Sequence, residues 1–315
     1  MMLNVFGPVP SRRLGRSIGI NNIPPKICSY ACLYCQVGKT TRKQIDRGAF
    51  YDPQKLVDQT KIKIAHLNDP GKGIDYLTIV SQGEPTLDAN LAELVSGLKP
   101  LGFPIAVITN ASLLWDESVR FDLADVDLIS IKVDAFSDVV WRKMNRPIHA
   151  LSLDTIKDGI RRFCRDYRGH LITETMLLKN VNDDENELKS VTEFLREIQP
   201  QTAYLAVPTR PPANPTVHAA GSASLTLAFH IFSSADINAE FLIGYEGNAF
   251  ASTGIAKNDV LSITAVHPMR QDAVEFLLQK NNATWQVVDD LIAEHQLRKI
   301  EYNDNVYYTR QLKSE

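Results

Sequence analysis

Short apolar runs alternate along most of this chain with longer stretches in which apolar positions return at helical spacing. The runs at 75–80 (DYLTIV), 104–109 (PIAVIT), 126–133 (VDLISIKV), 171–178 and 202–207 (TAYLAV) predict strands. Between them, 90–98, 115–123, 151–167 and 184–198 predict helices, the last with Leu188, Val191, Phe194, Leu195 and Ile198 on one face. Upstream, 17–23 (SIGINNI) predicts a short strand ended by Pro24-Pro25, and 53–66 a helix capped by Asp52 with Pro53 at its first position. Residues 7–16 read as a turn-rich, basic lead-in. Strands alternating with helices imply a parallel sheet, because each parallel return needs a crossover. The fold class is therefore α/β, with six β/α units when the strand before Pro24 is counted.

The last part of the chain has another character. Helices at 272–279 and 284–295 precede strands at 297–302 and 306–310, joined by the turn Asn303-Asp304-Asn305. Helix, helix, hairpin is the outline of a winged helix-turn-helix. The boundary falls near Gly254 to Asp259, which divides the chain into 1–253 and 258–315.

Hydrophobic residues make up 44% of the chain, enough for a sizeable core. Residues 1–10 carry no secretory pattern, and no apolar run reaches the roughly 18–20 residues that span a bilayer, so a cytoplasmic protein with no membrane partner is expected. The net charge is −3, yet residues 1–47 hold eight basic residues against Asp46 alone, a net of +7. That segment suits a phosphate-rich or acidic partner, or else is a solvated face balanced by acidic helices elsewhere. Residues 258–315 carry six basic and nine acidic residues, and the helix at 284–295 holds Asp289, Asp290 and Glu294 with no Lys or Arg. A DNA reader usually shows a basic footprint, so this tail is expected to dock protein or substrate, with any nucleic-acid contact coming from 1–47.

Cys28, Cys32 and Cys35 form C-x3-C-x2-C, while the fourth cysteine, Cys164, lies in an expected helix and reads as a buried thiol. Four cysteines so placed do not make a disulfide framework, which fits a reducing compartment. Soft thiolates select zinc, copper(I) or iron–sulfur clusters, and closed zinc sites and ferredoxin clusters take four ligands. Three thiolates on a four-iron cluster would leave one iron open for a ligand that is not protein. A three-cysteine zinc loop with a distant histidine, or ordinary buried thiols, stay open on the cysteines alone. Further polar groups follow at strand ends: Ser81-Gln82-Gly83-Glu84-Pro85-Thr86-Leu87, Thr109-Asn110-Ala111-Ser112, and Ser130, Lys132 and Asp134 on one face by alternation. Lys132 and Asp134 are ligand contacts or a buried structural pair. Arg210, in the proline-rich segment 208–215, either clamps an anion or sits in a crossover, and His149 reads as structural or exposed.

In this order the motifs resemble the radical S-adenosylmethionine (SAM) superfamily, whose signature C-x3-C-x-Φ-C has an aromatic Φ, here Tyr34. The resemblance covers 17–210 and implies a partial (β/α)6 barrel, followed here by the winged-helix-like tail. It implies a [4Fe–4S] cluster on Cys28, Cys32 and Cys35 whose open iron chelates SAM, with reductive cleavage to methionine and a 5′-deoxyadenosyl radical that abstracts hydrogen. It further implies SAM contacts from Tyr34, Gly83, Glu84, Asn110, Ser130, Lys132 and Asp134, with Gln82 standing where the family usually has glycine. An electron donor such as flavodoxin or ferredoxin goes with that chemistry. More narrowly, G-P-V-P-S-R-R-L-G-R-S-I-G-I-x5-K-x-C-S-Y-x-C-L-Y-C is similar to a group of iron–sulfur oxidoreductases related to the wyosine-base synthases that modify tRNA. By that analogy the substrate is RNA, with Arg12, Arg13 and Arg210 as candidate substrate contacts. A peptide, protein or small-metabolite substrate is the alternative, and a non-enzymatic redox-sensing regulator reading DNA is a third reading. No catalytic side chain is assigned.

Overall fold

A computed structural model describes residues 4–67, 73–244, 247–248, 250, 252 and 254–311. Lys313 and Glu315, which count toward the tail's charge, lie outside them. The chain opens with β1 (Val5–Ser11) and β2 (Gly15–Ile20), an antiparallel pair. β3 (Ile27–Cys28) and β4 (Arg42–Lys43) then pair in parallel across the cysteine loop. α1 (Pro53–Ala65) starts as expected, with the Asp52 carboxylate accepting from the Gln54 amide. There follow β5 (Tyr76–Ile79), α2 (Leu91–Leu98), β6 (Ile105–Thr109), α3 (Glu117–Leu123), β7 (Leu128–Lys132), α4 (Asp138–Asn145), α5 (Leu153–Asp166), β8 (His170–Met176), α6 (Glu185–Ile198) and β9 (Thr202–Ala206). α7 (Ser222–Ser234) and β10 (Ala239–Leu242) complete the sheet.

Strand order is β1-β2-β5-β6-β7-β8-β9-β10, parallel from β2 to β10, with β1 antiparallel at one edge. This is the curled, partial α/β barrel, larger than the six expected units by β10. The lead-in is itself a strand: its prolines sit on an edge, where a missing N–H costs no ladder bond. Alternation divides each strand between two faces. Ile105, Val107, Ile129, Ile131 and Leu171 belong to the main core under the helices. Leu14, Ala106, Leu128 and Ile172 fill the inner floor with Tyr76, Ile108 and Tyr204. Along β7 and β8 the inner face then turns polar, with Ser130, Lys132 and Glu174 above that floor. At the other edge, β10 carries Phe241, stacked on Phe229 of α7 at 5.0 Å and partly in water.

The C-terminal unit holds both expected helices and the hairpin, and two more elements. α8 (Ala256–Val266) and β11 (Met269–Arg270) precede α9 (Gln271–Lys280), α10 (Gln286–Ala293), β12 (Leu297–Tyr302) and β13 (Asn305–Arg310). Its sheet runs β11-β13-β12, and Asn303 and Asp304 turn the hairpin with left-handed φ of 47° and 59°. α8 packs on β1, while Val9 joins the core of the C-terminal unit. Across the same contact Lys63 Nζ of α1 lies 3.7 Å from Asp259 Oδ1, and Asn281 Nδ2 donates to Asp259 Oδ2 at 3.4 Å.

We predict that Asp259→Ala, which removes the counter-ion of a buried lysine, destabilises the protein by on the order of 3 kcal/mol. Lys63→Met, which leaves the more deeply buried Asp259 carboxylate without its cation, is expected to cost a comparable amount. Urea unfolding of both variants is the check, and equal small losses would show that this contact does not anchor the unit.

Candidate active site

The cysteine loop is held from three directions. Lys26 N donates to Gln82 O at 2.8 Å and Glu84 N to Ile27 O at 3.2 Å, which fix it to the segment after β5. Ala31 N donates to Asn145 O at 3.0 Å and Leu33 N to Met144 O at 2.9 Å, which fix it to the end of α4. Gln44 N donates to Cys28 O at 3.1 Å. Gly83 has to be glycine for the first of these contacts: a Cβ there would stand 1.7 Å from the Ile27 carbonyl. The three thiols open on one cleft of about 260 Å³. Cys28 Sγ receives N–H donors from Tyr30 N and Asn110 Nδ2, and Cys32 Sγ from Asn145 Nδ2, each at 3.5 Å. Burial pushes the Cys28 thiol far up and Cys32 to about 12, and it raises Cys35 as well. Without a metal they are thiols at neutral pH, so a metal that binds them must displace protons. Soft sulfurs backed by N–H donors fit an iron–sulfur group. Among the described residues no three His, Cys, Asp or Glu side chains gather around the position of a single metal ion.

Glu84 is buried and saturated. Its carboxylate accepts from Thr86 N (3.1 Å), Thr86 Oγ1 (2.7 Å), Thr109 Oγ1 (2.6 Å) and Asn110 N (2.8 Å). Burial raises its pKa, and these donors pull part of the way back. The side chain thus ties the loop after β5 to the end of β6 and seats Asn110, whose Nδ2 reaches Ser29 Oγ at 2.9 Å.

Along one wall of the cleft runs a largely buried charge network. Glu174 of β8 accepts from Arg13 and, at 2.7 Å, from Lys132 Nζ. Lys132 Nζ also lies 3.3 Å from Asp134 Oδ1 and 4.9 Å from the centre of the Tyr34 ring. Asp134 accepts from Met176 N at 2.9 Å, from Asn145 Nδ2 at 2.9 Å and from the Tyr34 hydroxyl. Burial would raise Glu174, but the Arg13 and Lys132 charges outweigh it and hold the carboxyl down to about 2. Burial likewise works against the Lys132 charge, and Asp134 and Glu174 reverse that and raise its pKa.

Of the residues singled out in the sequence, Cys28, Cys32, Cys35, Tyr34, Gly83, Glu84, Asn110, Lys132, Arg12, Arg13 and Arg210 all line the one cleft. Ser130 and Asp134 do not. Ser130 is buried and accepts from Arg13 Nη1 at 3.4 Å, and Asp134 lies past the end of β7, beneath the cleft. The Lys132–Asp134 pair exists, with Glu174 as a third member. His149 is exposed, and Cys164 is partly buried on α5 with its thiol pushed up to about 12 by burial. Sequence reasoning missed Glu174, Asn145, Gln36 and His267. The alternation in HLITETM that turns Glu174 inward was legible by the argument used for Lys132. Asn145 closes α4, a short helix the sequence reading did not assign, and shares its buried face with Trp141 and Met144.

Three thiols at the carboxyl rim of a parallel α/β half-barrel, over a buried charge network, define an enzyme whose chemistry sits at its strand ends. The chain belongs to the radical SAM superfamily, whose sequence profile matches residues 22–190. It is similar over nearly its whole length to the UPF0026 protein MJ1312 of Methanocaldococcus jannaschii, with 43% identity over 315 residues, 99% of this chain and 98% of that protein. Among solved structures it resembles a radical SAM methyltransferase from Sphaerobacter thermophilus (TM-score 0.54, 15% identity, 72% of this chain and 66% of that one). It also resembles Streptococcus suis SuiB bound to S-adenosylmethionine (TM-score 0.53, 13% identity, 71% of this chain and 48% of that one). This chain thus spans about half to two thirds of those two solved chains, and at such identities they show the fold alone. Superfamily membership implies SAM and an iron–sulfur cluster as cofactors. No helix of the described residues is long and apolar enough to cross a membrane.

Glu174 carries a pH prediction. Its folded pKa of about 2 lies below the usual 4.5, so its stabilisation is complete above the usual value and is lost as pH falls toward 2. We predict that Glu174→Gln, which leaves Arg13 without its carboxylate and Lys132 with Asp134 alone, lowers the melting temperature at pH 7 and that this deficit narrows between about pH 4.5 and 2. Melting curves across that range decide it; a deficit independent of pH would refute the assignment.

Proposed function

We propose that Cys28, Cys32 and Cys35 each ligate one iron of a [4Fe–4S] cluster, that the remaining iron is left to SAM, and that the enzyme acts on RNA. The observation that carries the cluster is three thiols from one loop open on one cleft, with Cys164 apart from them on α5. When bound and reduced, such a cluster supplies the electron that splits SAM into methionine and a 5′-deoxyadenosyl radical, which takes a hydrogen atom from substrate. A low-potential donor of the flavodoxin or ferredoxin class delivers that electron.

The chain's own residues hold the ligands. Asn110 and Asn145 donate to cysteine sulfurs, Gly83 lets the loop after β5 close on the motif, and Glu84 braces the cleft wall that carries Asn110. Lys132 offers a cation at the cleft for a carboxylate of SAM, while Asp134 and Ser130 support Lys132, Tyr34 and Arg13 from behind. The RNA reading rests on the basic N-terminal segment. Arg13 and Arg47 are spent on Glu174 and Asp122, but Arg12, Lys39, Arg42 and Lys43 are exposed, and Arg12 stands in the cleft wall. The C-terminal unit presents Asp289, Asp290 and Glu294 to solvent on and just after α10, a face that repels phosphate.

Anaerobic reconstitution is predicted to load about four iron and four sulfide per chain. Cys32→Ala will lose that loading and Cys164→Ala will keep it. One zinc without sulfide would refute the cluster. The reduced protein is predicted to release 5′-deoxyadenosine from SAM. It will also bind RNA with an affinity that falls with salt, and roughly tenfold on Arg12→Glu/Arg42→Glu. A loaded, reduced enzyme that releases no 5′-deoxyadenosine would refute the reaction. RNA binding that ignores salt and the charge reversals would turn the substrate toward a peptide or small metabolite.

A further inference from the structure

Residues 207–210, which follow β9, form part of the wall of the cleft onto which the cysteines open. Three side chains of the C-terminal unit hold them. The Tyr302 hydroxyl donates to the carbonyl of Pro208 at 3.1 Å, and the Tyr307 hydroxyl donates to the carbonyl of Thr209 at 3.0 Å. Tyr302 ends β12 and Tyr307 lies in β13, so the hairpin sets the spacing of the two hydroxyls, and their rings meet edge to face at 6.4 Å. The third contact is through Arg210. Its Nη2 lies 3.0 Å from Nε2 of His267, the residue after α8, and its Nη1 donates to Oε1 of Gln36 at 2.9 Å. Gln36 directly follows Cys35. His267 is buried, and burial together with the nearby Arg210 charge holds its pKa well below the usual value, so its neutral ring accepts from the guanidinium. The Arg210 charge also helps to lower the Glu174 carboxyl, so it is felt across the cleft.

We propose that the C-terminal unit is a working part of the site: through Tyr302, Tyr307 and His267 it positions the wall at 207–210, and through Arg210 and Gln36 it positions the segment that follows Cys35. Arg210 is thus a positioning residue. A proline-containing loop at a barrel rim has no ladder to fix it, and here the tail's hydroxyls supply the missing partners for two successive carbonyls. The proposal rests on Cys35 as a cluster ligand for its effect on the cofactors, but the grip on the wall itself does not.

The test uses full-length protein and three variants: Tyr302→Phe/Tyr307→Phe, His267→Leu, and His267→Gln, which keeps an acceptor for Arg210. Amide hydrogen exchange of the peptide covering 207–217, in which the Asn214 amide donates to Leu33 O and the Val217 amide to Asn214 O, reads the grip without any cofactor, and the first two variants are expected to speed it about tenfold. In reconstituted protein the same two variants are expected to keep their iron, to weaken SAM binding about tenfold and to change the electron paramagnetic resonance line shape of the reduced cluster. His267→Gln is expected to stay within about threefold of the parent, as one acceptor replaces another. Unchanged exchange in the tyrosine pair and in His267→Leu overturns the proposal, as does parental SAM affinity and line shape in both. If the parent protein itself binds no SAM, the functional reading fails, and exchange alone then decides whether the tail grips the wall.

Discussion

Glu174 determines where two cations sit inside the half-barrel. Arg13 comes from the β1–β2 turn and Lys132 from β7, and both would be costly in that interior without a carboxylate between them. From Lys132 the network passes to Asp134, and from Asp134 to Tyr34 within the cysteine motif and to Asn145 at the end of α4. The N-terminal hairpin, the central strands and the cysteine loop are thereby fixed by one set of complementary charges. The floor of Leu14, Ala106, Leu128 and Ile172 keeps that set dry from below, which strengthens each of its interactions.

The cysteine loop has little regular structure of its own. Its two-residue pairing with β4 is too short to hold a shape, so neighbouring backbone and side chains do so. Gly83 permits the approach and Glu84 makes it rigid, each through contacts that a larger or uncharged residue would not reproduce. A site braced by such contacts suits chemistry that depends on orientation.

Much of the half-barrel was legible because its strands are buried on both faces or alternate cleanly, and because Asp52-Pro53 and Asp184 announce helix starts. The lead-in was not, because Gly7-Pro8-Val9-Pro10 has the composition of a turn and only its place at a sheet edge makes it a strand. α7 and β10 were missed for a related reason, since α7 buries only Ala228 and Phe232 and β10 only Leu242, while the buried face of α8 mixes Asp259, Ser262 and Thr264 with its apolar residues. In the site, the cysteines, Gly83, Glu84 and Lys132 carry signals in local spacing. His267, Gln36 and Asn145 do not, since each acquires its role only when distant segments meet.

The two edges of the sheet are finished in different ways. β1 is packed against by α8 and α1, and its first four residues are buried. β10 is four residues long, and its Phe241 shields itself by stacking on Phe229. Short edge strands are one of the devices by which sheets avoid recruiting strands from other chains. Because α8 belongs to the C-terminal unit, shortening the chain from that end would expose more of the longer edge and leave Pro8 and Pro10, which present no N–H, as its remaining guard against recruiting a foreign strand.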